Sequence, residues 1–494
     1  LPASRATGSL GIARVAARPL HGAPRTNAMH STATPLPRRH IMLEAPDDLI
    51  YYARTSSLTQ HHGHRVHAQS QPDTSSSAIA PATAKRTHAR FAILALLTVG
   101  TLINYLDRTV ISVAAPLLSH DLGLSAVAMG VVFSAFSWTY AAAQIPGGVL
   151  LDRFGVRFTY FASVTLWSLC TVAQGLATGL ASLLGARLAL GVAEAPAFPS
   201  NSRILSTWFP QQERARATGV YSIGQYFGLA FLSPVLFWIS AELGWRALFI
   251  IVGLAGVFFG FVWLALYRDP HASQKVNQAE LDHIAAGGGL GDRAVATRFE
   301  WRNIGFLLRQ RQILGASIGQ FASNSTLVFF LTWFPTYLAT ERQMAWLKAG
   351  FFTILPFIAA TVGVVAGGVA SDFLLRKTGS ANIARKLPIV CGLFLASVIV
   401  SANFLESDLL VIAVMSIAFF GQGMCNLGWT LLTDVAPKRL IGLTGGVFNL
   451  CANLAGIVTP LVVGFIVAAT GSFAWALGFI AVIALLGAFS YLFL

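Results

Sequence analysis

From Phe91 onward the chain alternates long apolar runs with short polar connections. Twelve runs are long enough for a helix to cross a bilayer: 91–117, 127–151, 158–177, 181–203, 216–240, 246–267, 312–338, 346–371, 387–405, 408–432, 441–468 and 472–494. Gly and Pro recur inside them, as helices in lipid permit. The pattern predicts an all-α polytopic membrane protein of twelve transmembrane helices. Residues 1–85, rich in Ser, Thr, Pro, Ala, Arg and His, carry no apolar period and are expected to be disordered. The connection 268–311 is long and polar. Its "NQAELDHIAAGGGLGD" predicts a short surface helix and a flexible link, and its glycines follow no strand, which argues against a nucleotide loop.

A repeat refines this organisation. "GGVLLDRFGVR" (147–157) follows the second run and "GGVASDFLLRK" (367–377) follows the eighth, so Asp152 corresponds to Asp372. Copies six spans apart in one orientation imply two parallel six-helix halves. The expected parts are an extension 1–85, a first half 86–267, a cytoplasmic central loop 268–311 and a second half 312–494.

Charge sets the orientation. One set of connections holds Lys85, Arg86 and Arg90; Arg153 and Arg157; Arg203, Arg214 and Arg216; the basic residues of 268–311; Arg376, Lys377, Arg385 and Lys386; and Lys438 and Arg439. The alternate set holds only Arg246, Arg342 and Lys348. The positive-inside bias makes the rich set cytoplasmic and, with twelve spans, both termini too. Composition agrees: 55% of the 494 residues are hydrophobic and 11% charged, against about 25% charged in soluble domains. The net charge of +14 is scattered between apolar runs, so nucleic acid is not an expected partner. Cys170, Cys391, Cys425 and Cys451 lack metal spacing and are expected as free, buried thiols. His61, His62, His64 and His67 in "QHHGHRVH" read as a solvated tail before a metal site. The extension also fits an organellar transit peptide, or residues ahead of a start at Met29, Met42 or near residue 80.

The chemistry concentrates in "NYLDRTV" (104–110), which sets Asp107 and Arg108 inside the first apolar run. Each such charge costs about 2.5–3.5 kcal/mol at mid-membrane on insertion scales. The two lie about 100° apart on their helix and need partners elsewhere. The fourth run offers Arg187 and Glu194, seven residues apart on one face. Matching depths along the two helices pairs Asp107 with Arg187 and Arg108 with Glu194. Such pairs either lock helices together or serve a pathway. Tyr105, Tyr140, Gln144, Gln225, Gln320, Asn324, Trp429, Asn449 and Asn453 add polar groups in other runs. Asn324 opens an "NST" sequon but lies within a run and should be unmodified. Asp152 and Asp372, at helix ends, are expected to hold the halves together through basic partners and helix dipoles.

Gly148-x-x-x-Asp152-Arg153-x-Gly155-x-Arg157 between the second and third runs, with twelve spans and a long central loop, resembles the major facilitator superfamily. "NYLDR", "VFSAFSWTYAAAQIPGG", "GVAEAPAFPSNSRILSTWFP", "FFLTWFPTYL", "NIARKLPIV" and "GLTGGVFN" resemble the sugar-acid carriers of its anion:cation symporter family, with D-galactonate and glucarate transporters as the nearest types. The match runs from about residue 85 to the end. Asn426 and Gly428 depart from it, standing where galactonate carriers have small hydroxyl residues. The resemblance implies a monomeric, proton-coupled sugar-acid importer of the bacterial inner membrane, without cofactor or metal. It implies Tyr105, Arg108, Tyr140, Gln225, Trp429 and Asn449 as substrate contacts. Asp107, Arg187 and Glu194 would handle protons; Gly148, Asp152, Arg153, Arg157 and Asp372 would serve gating and structure. A phosphate or organic-anion carrier, a drug/proton antiporter and a transporter-like sugar-acid sensor are the alternatives. No nucleophile–base–orienter constellation suggests an enzyme.

Overall fold

The computed structural model describes residues 85–290, 301–437 and 440–493, apart from the side chains of 215, 223, 225, 227, 301–303, 433 and 441. The expected disorder of 1–85, its His cluster, Lys438, Arg439 and the Gln225 side chain therefore lie outside the described residues. Within them the chain is helical and contains no strand. The α-helices are α1 (Ala89–Asp121), α2 (Ala126–Gly175), α3 (Leu180–Glu194), α4 (Ala197–Trp208), α5 (Gln211–Glu242), α6 (Gly244–Leu266), α7 (Gln278–Ala286) and α8 (Trp301–Arg309). They continue as α9 (Arg311–Thr332), α10 (Phe334–Thr336), α11 (Trp346–Thr378), α12 (Ala381–Ser397), α13 (Asp408–Met424), α14 (Gly428–Val435), α15 (Ile441–Thr470) and α16 (Ala474–Phe493).

Each of the twelve apolar runs of the sequence is helical, and ten helical segments among the described residues are long and apolar enough to cross a membrane. Two features explain the difference. The 50 residues of α2 would span about 75 Å if straight, far more than one bilayer. Gly155 breaks the helix at φ 74°, ψ 169°, a backbone conformation open to glycine. There the chain doubles back, because Thr159 Oγ1 donates to the Leu150 carbonyl at 3.3 Å. The other case is α5, whose apolar stretch is only Gly228–Glu242.

Proline divides the fourth run. Pro196 has no N–H to offer the Val192 carbonyl, so α3 stops at Glu194 and α4 restarts at Ala197. Gly191 makes this region compact: a Cβ there would meet the Phe136 carbonyl and Thr139 Oγ1, both at 2.3 Å. Thr139 Oγ1 donates to the Leu188 carbonyl (2.7 Å) and Ser163 Oγ to the Ala193 carbonyl (2.5 Å), fixing α3 to both limbs of α2.

Contacts differ between the two ends of the bundle. At the end carrying Arg246, Arg342 and Lys348, α2 meets α15 and α5 meets α11 almost backbone to backbone. A Cβ on Gly130 would lie 2.6 Å from the Pro460 carbonyl, one on Gly464 2.8 Å from the Ala126 carbonyl, and one on Gly350 2.8 Å from Phe237. Phe133 and Trp333 pack edge to face across this contact, 5.1 Å between centroids. At the arginine-rich end of the same four helices, a Cβ on Gly148, Gly219, Gly368, Gly445 or Gly446 would meet no atom within 4 Å. The close glycine contacts that join these helices at one end thus have no counterpart at these positions of the other.

The central connection is less free than its composition suggests. Asn277 caps α7, accepting from Glu280 N at 3.0 Å. Glu280 is buried against the start of α1, where it accepts from Thr87 Oγ1 (2.5 Å), Ala89 N (3.1 Å), Arg90 N (3.3 Å) and Arg90 Nη1 (2.9 Å). Arg90 also pairs with Glu213 of α5 at 3.0 Å, and His283 Nε2 lies 3.1 Å from Glu213 Oε1. The expected surface helix is thus a docked one. The cysteines need correction as well: all four are free, but only Cys425 is buried, Cys391 is exposed, and Cys170 and Cys451 are half-buried. Apolar neighbours in sequence do not bury a side chain in a membrane protein, because lipid covers the outer faces.

Candidate transport site

Arg108 and Glu194 form the centre of the site. The break after α3 leaves Glu194 at a helix end pressed against α1 and α2, wholly buried. Arg108 Nε donates to Glu194 Oε1 at 2.6 Å, and Nη2 donates to the same oxygen. The Asn104 side chain lies against the same carboxylate, without a well-aligned hydrogen bond to it. The Arg108 side chain keeps 17% of its surface exposed. Four rings surround its guanidinium: Phe136 at 4.8 Å, Tyr140 at 4.9 Å, Tyr105 at 5.4 Å and Phe198 at 5.8 Å. Tyr140 stacks on Phe136, 5.1 Å between centroids. Aromatic faces stabilise a cation without competing for a carboxylate, so this arginine is held in place yet can still bind an anion.

Asp107 and Arg187 do not pair, contrary to the expectation from depth. Asp107 is fully buried and accepts from Trp167 Nε1 at 2.8 Å; its Oδ1 has no partner. Arg187 donates to the carbonyls of Val132 (3.3 Å) and Phe133 (3.4 Å) and lies 5.3 Å from the Phe136 ring centroid; its Nη1 is unpartnered. Matching heights ignored direction around the helix axis. Asp107 is turned toward the second limb of α2, where Trp167 lies, and Arg187 toward the first. Phe136 instead links the two arginines, taking Arg108 and Arg187 on one ring.

The other residues divide. Tyr105 and Tyr140 join Arg108. Trp429 is exposed and packs edge to face on Phe448 at 4.9 Å, while the Asn449 carbonyl accepts from Asn453 Nδ2 at 2.8 Å; neither touches Arg108 among the described contacts. Asn324 Nδ2 donates to the Ala452 carbonyl at 2.5 Å. Buried Gln144 Nε2 and Gln320 Oε1 lack partners. Asp152 pairs with Arg203 of α4 at 2.7 Å. Asp372 lies 3.9 Å from Arg385, which also bonds Asp434 (3.2 Å) and Ser371 (2.7 Å). Each acid thus finds its base within its own copy of the repeat, and neither ties the first six spans to the last six as expected. A base in the same copy was simply nearer, two spans on for Asp152 and at the start of the next span for Asp372. Arg153 rests over Phe154 at 5.4 Å and Gly148 stands open.

Asn104, Phe136 and Phe198 were missed by sequence reasoning, although a local signal existed for the first two, which lie four residues before Arg108 and Tyr140 on the same helices; Phe198 lies beyond the break that separates α4 from Glu194. Neighbours at that spacing share a helix face. No local signal marked Trp167.

Residues 97–460 match the Major Facilitator Superfamily. The chain belongs to that family. It is 45% identical over 420 residues to a "D-galactonate transporter" of Escherichia coli O6:H1, covering 83% of this chain and 96% of the relative. It is 44% identical over 429 residues to a "Probable galactarate/D-glucarate transporter" of Escherichia coli K12, covering 84% and 95%. A "Hexuronate transporter" of Bacillus subtilis is 33% identical over 389 residues, covering 78% and 89%. Among solved structures, a bacterial homologue of the human lysosomal transporter Spinster aligns with TM-score 0.62 at 20% identity, over 82% of this chain and 96% of that one, a likeness of fold. The chain is a multi-span membrane transporter, as its helices and its superfamily relatives agree. Among the described residues no three His, Cys, Asp or Glu side chains group as metal ligands.

Proposed function

We propose that this transporter imports a sugar-acid anion, a hexonate or hexarate such as galactonate or glucarate, together with protons. In this reading the halves 86–267 and 312–494, joined by the loop 268–311, rock about a central site in the inner membrane, with both termini cytoplasmic. The observation that carries it is the Arg108–Glu194 pair: a mostly buried cation that keeps a small exposed face within an aromatic cage, tied to one oxygen of a wholly buried carboxylate.

An anionic substrate needs a cationic anchor, and a guanidinium presents a planar fork for a carboxylate. A polyol needs hydrogen-bond donors and acceptors, which Tyr105, Tyr140 and Gln225 supply from the first half and Trp429 and Asn449 from the second. Ionised Glu194 holds Arg108; protonated Glu194 releases it to the substrate. Loaded carrier rocks and delivers both. Asp107 and Arg187, both buried charges without a salt-bridge partner among the described residues, are secondary proton-handling groups. The names of relatives that align over most of their length support the substrate class. A phosphate carrier fits less well, since the described spans of the second half bury no Lys or Arg.

Uptake by the purified chain in proteoliposomes, across a panel of hexonates, hexarates, hexuronates and phosphate, tests this reading. Accumulation of a hexonate or hexarate driven by an imposed proton gradient is expected. Uptake of phosphate alone, or accumulation indifferent to the gradient, contradicts it.

A further inference from the structure

The proposed substrate and proton steps involve neither Arg157, expected above to serve gating and structure, nor Arg268. The last carbonyls of a helix lack intrahelical partners, and near the end of α6 one of them, on Leu264, receives two guanidiniums. Arg157 donates to it from Nε (3.2 Å) and Nη2 (2.8 Å), and Arg268 from Nη1 (2.9 Å). Arg268 Nη1 also reaches the Tyr267 carbonyl at 2.8 Å. Trp263 Nε1 donates to the Arg157 carbonyl at 3.3 Å, and so fixes the turn after Gly155 against α6.

Two cations bonded to one oxygen repel each other, and the partial negative charge of a helix C-terminus, about half an elementary charge, does not neutralise them. Among the described residues neither arginine has a salt-bridge partner. The adjacent acid, Asp269, instead accepts from Tyr267 Oη at 3.2 Å. The surroundings are apolar and uncovered: Phe154, Phe158, Phe261 and Leu266 are each more than half exposed, and Arg157 rests over the Phe158 ring at 5.5 Å. With 23 residues, α6 is about 34 Å long, close to one hydrocarbon core of about 30 Å. Its end therefore lies at the headgroup level of a leaflet.

We propose that Arg157 and Arg268 bind the phosphate of an anionic phospholipid whose acyl chains lie along Phe154, Phe158, Phe261 and Leu266. The phosphate supplies the negative charge that the pair lacks, and charge-assisted bonds from the guanidiniums hold it. Apolar flanks select a lipid over a free anion, and the excess of cation selects an anionic lipid over a zwitterionic one.

Native mass spectrometry of the purified full chain, titrated with phosphatidylglycerol, tests this. The parent should retain one phosphatidylglycerol in preference to phosphatidylcholine. Arg157→Gln with Arg268→Gln should lower its apparent affinity roughly tenfold, while Arg376→Gln with Lys377→Gln, an exposed basic pair elsewhere, should leave it unchanged. Arg268→Gln alone keeps Arg157 on the Leu264 carbonyl. It should lower affinity roughly threefold, and this remains a test if the double variant folds poorly. Melting of the parent should rise with phosphatidylglycerol and not with inorganic phosphate. Undiminished retention in the arginine variants, equal retention of phosphatidylcholine, or equal stabilisation by inorganic phosphate would overturn the proposal.

Discussion

In the proposed mechanism Arg108 is the substrate anchor, and a bidentate fork and a point charge bind a carboxylate differently. Arg108→Lys keeps the charge and loses the fork, so the account expects sugar-acid affinity to fall roughly tenfold or more, about 1.4 kcal/mol. A direct binding titration checks it, and unchanged affinity would remove Arg108 from the site. At this scale much was legible. "NYLDR" announced a buried pair of charges, and seven-residue spacing found Arg187 and Glu194. Pairing Arg108 with Glu194 needed only height along two helices, and it stands. Pairing Asp107 with Arg187 needed rotation as well, which depends on how α1 packs against the two limbs of α2. No single helix encodes that, and Trp167 took the place expected for Arg187.

Among the elements, α7 shows how far composition can mislead. A polar loop segment read as surface, yet Glu280 is fully buried. Burial alone would raise its pKa, but hydrogen bonds from Thr87, the Arg90 side chain and the N–H groups of Arg90 and Ala89 outweigh burial and lower it. A carboxylate lowered on folding adds stability above its ordinary pKa, about 4.3, and that stability is lost as pH falls through the lowered value. Glu280→Gln should therefore melt at a lower temperature than the parent near neutral pH, and the two curves should converge below about pH 4. Parallel melting curves from pH 3 to 7 would contradict a structural carboxylate at α7. The glycine contacts give a second expectation. A side chain at Gly130 meets the Pro460 carbonyl, and such overpacking typically costs about 1–3 kcal/mol. In a chain whose four native cysteines are replaced by alanine, a cysteine at buried Met129 should label several-fold faster with a membrane-impermeant maleimide when Gly130 is Val. Equal labelling would show that this contact does not hold that end closed.

Across the whole molecule, apolar runs and the Gly148–Arg157 repeat made the class and span pattern legible, because lipid forces every backbone polar group into a helix. Which end carries the close glycine contacts was not legible. It depends on contacts between helices far apart in sequence, such as α2 with α15, and a transporter must exchange those contacts in each cycle. Coupling is a property at this same scale. Glu194→Gln mimics the protonated acid and leaves Arg108 available. Exchange of internal for external substrate needs only loaded carrier to rock. Net accumulation also needs the empty carrier to return with Glu194 ionised and holding Arg108. Were the pair only a structural lock, losing one member would strand Arg108 and destabilise the fold by roughly 3–5 kcal/mol, and both activities would fall with protein yield. The deciding measurement is counterflow of the sugar acid beside proton-driven accumulation in proteoliposomes of Glu194→Gln, each normalised to folded protein. The account predicts that counterflow persists and accumulation is lost; retention of both, or loss of both in proportion to folded yield, would contradict it.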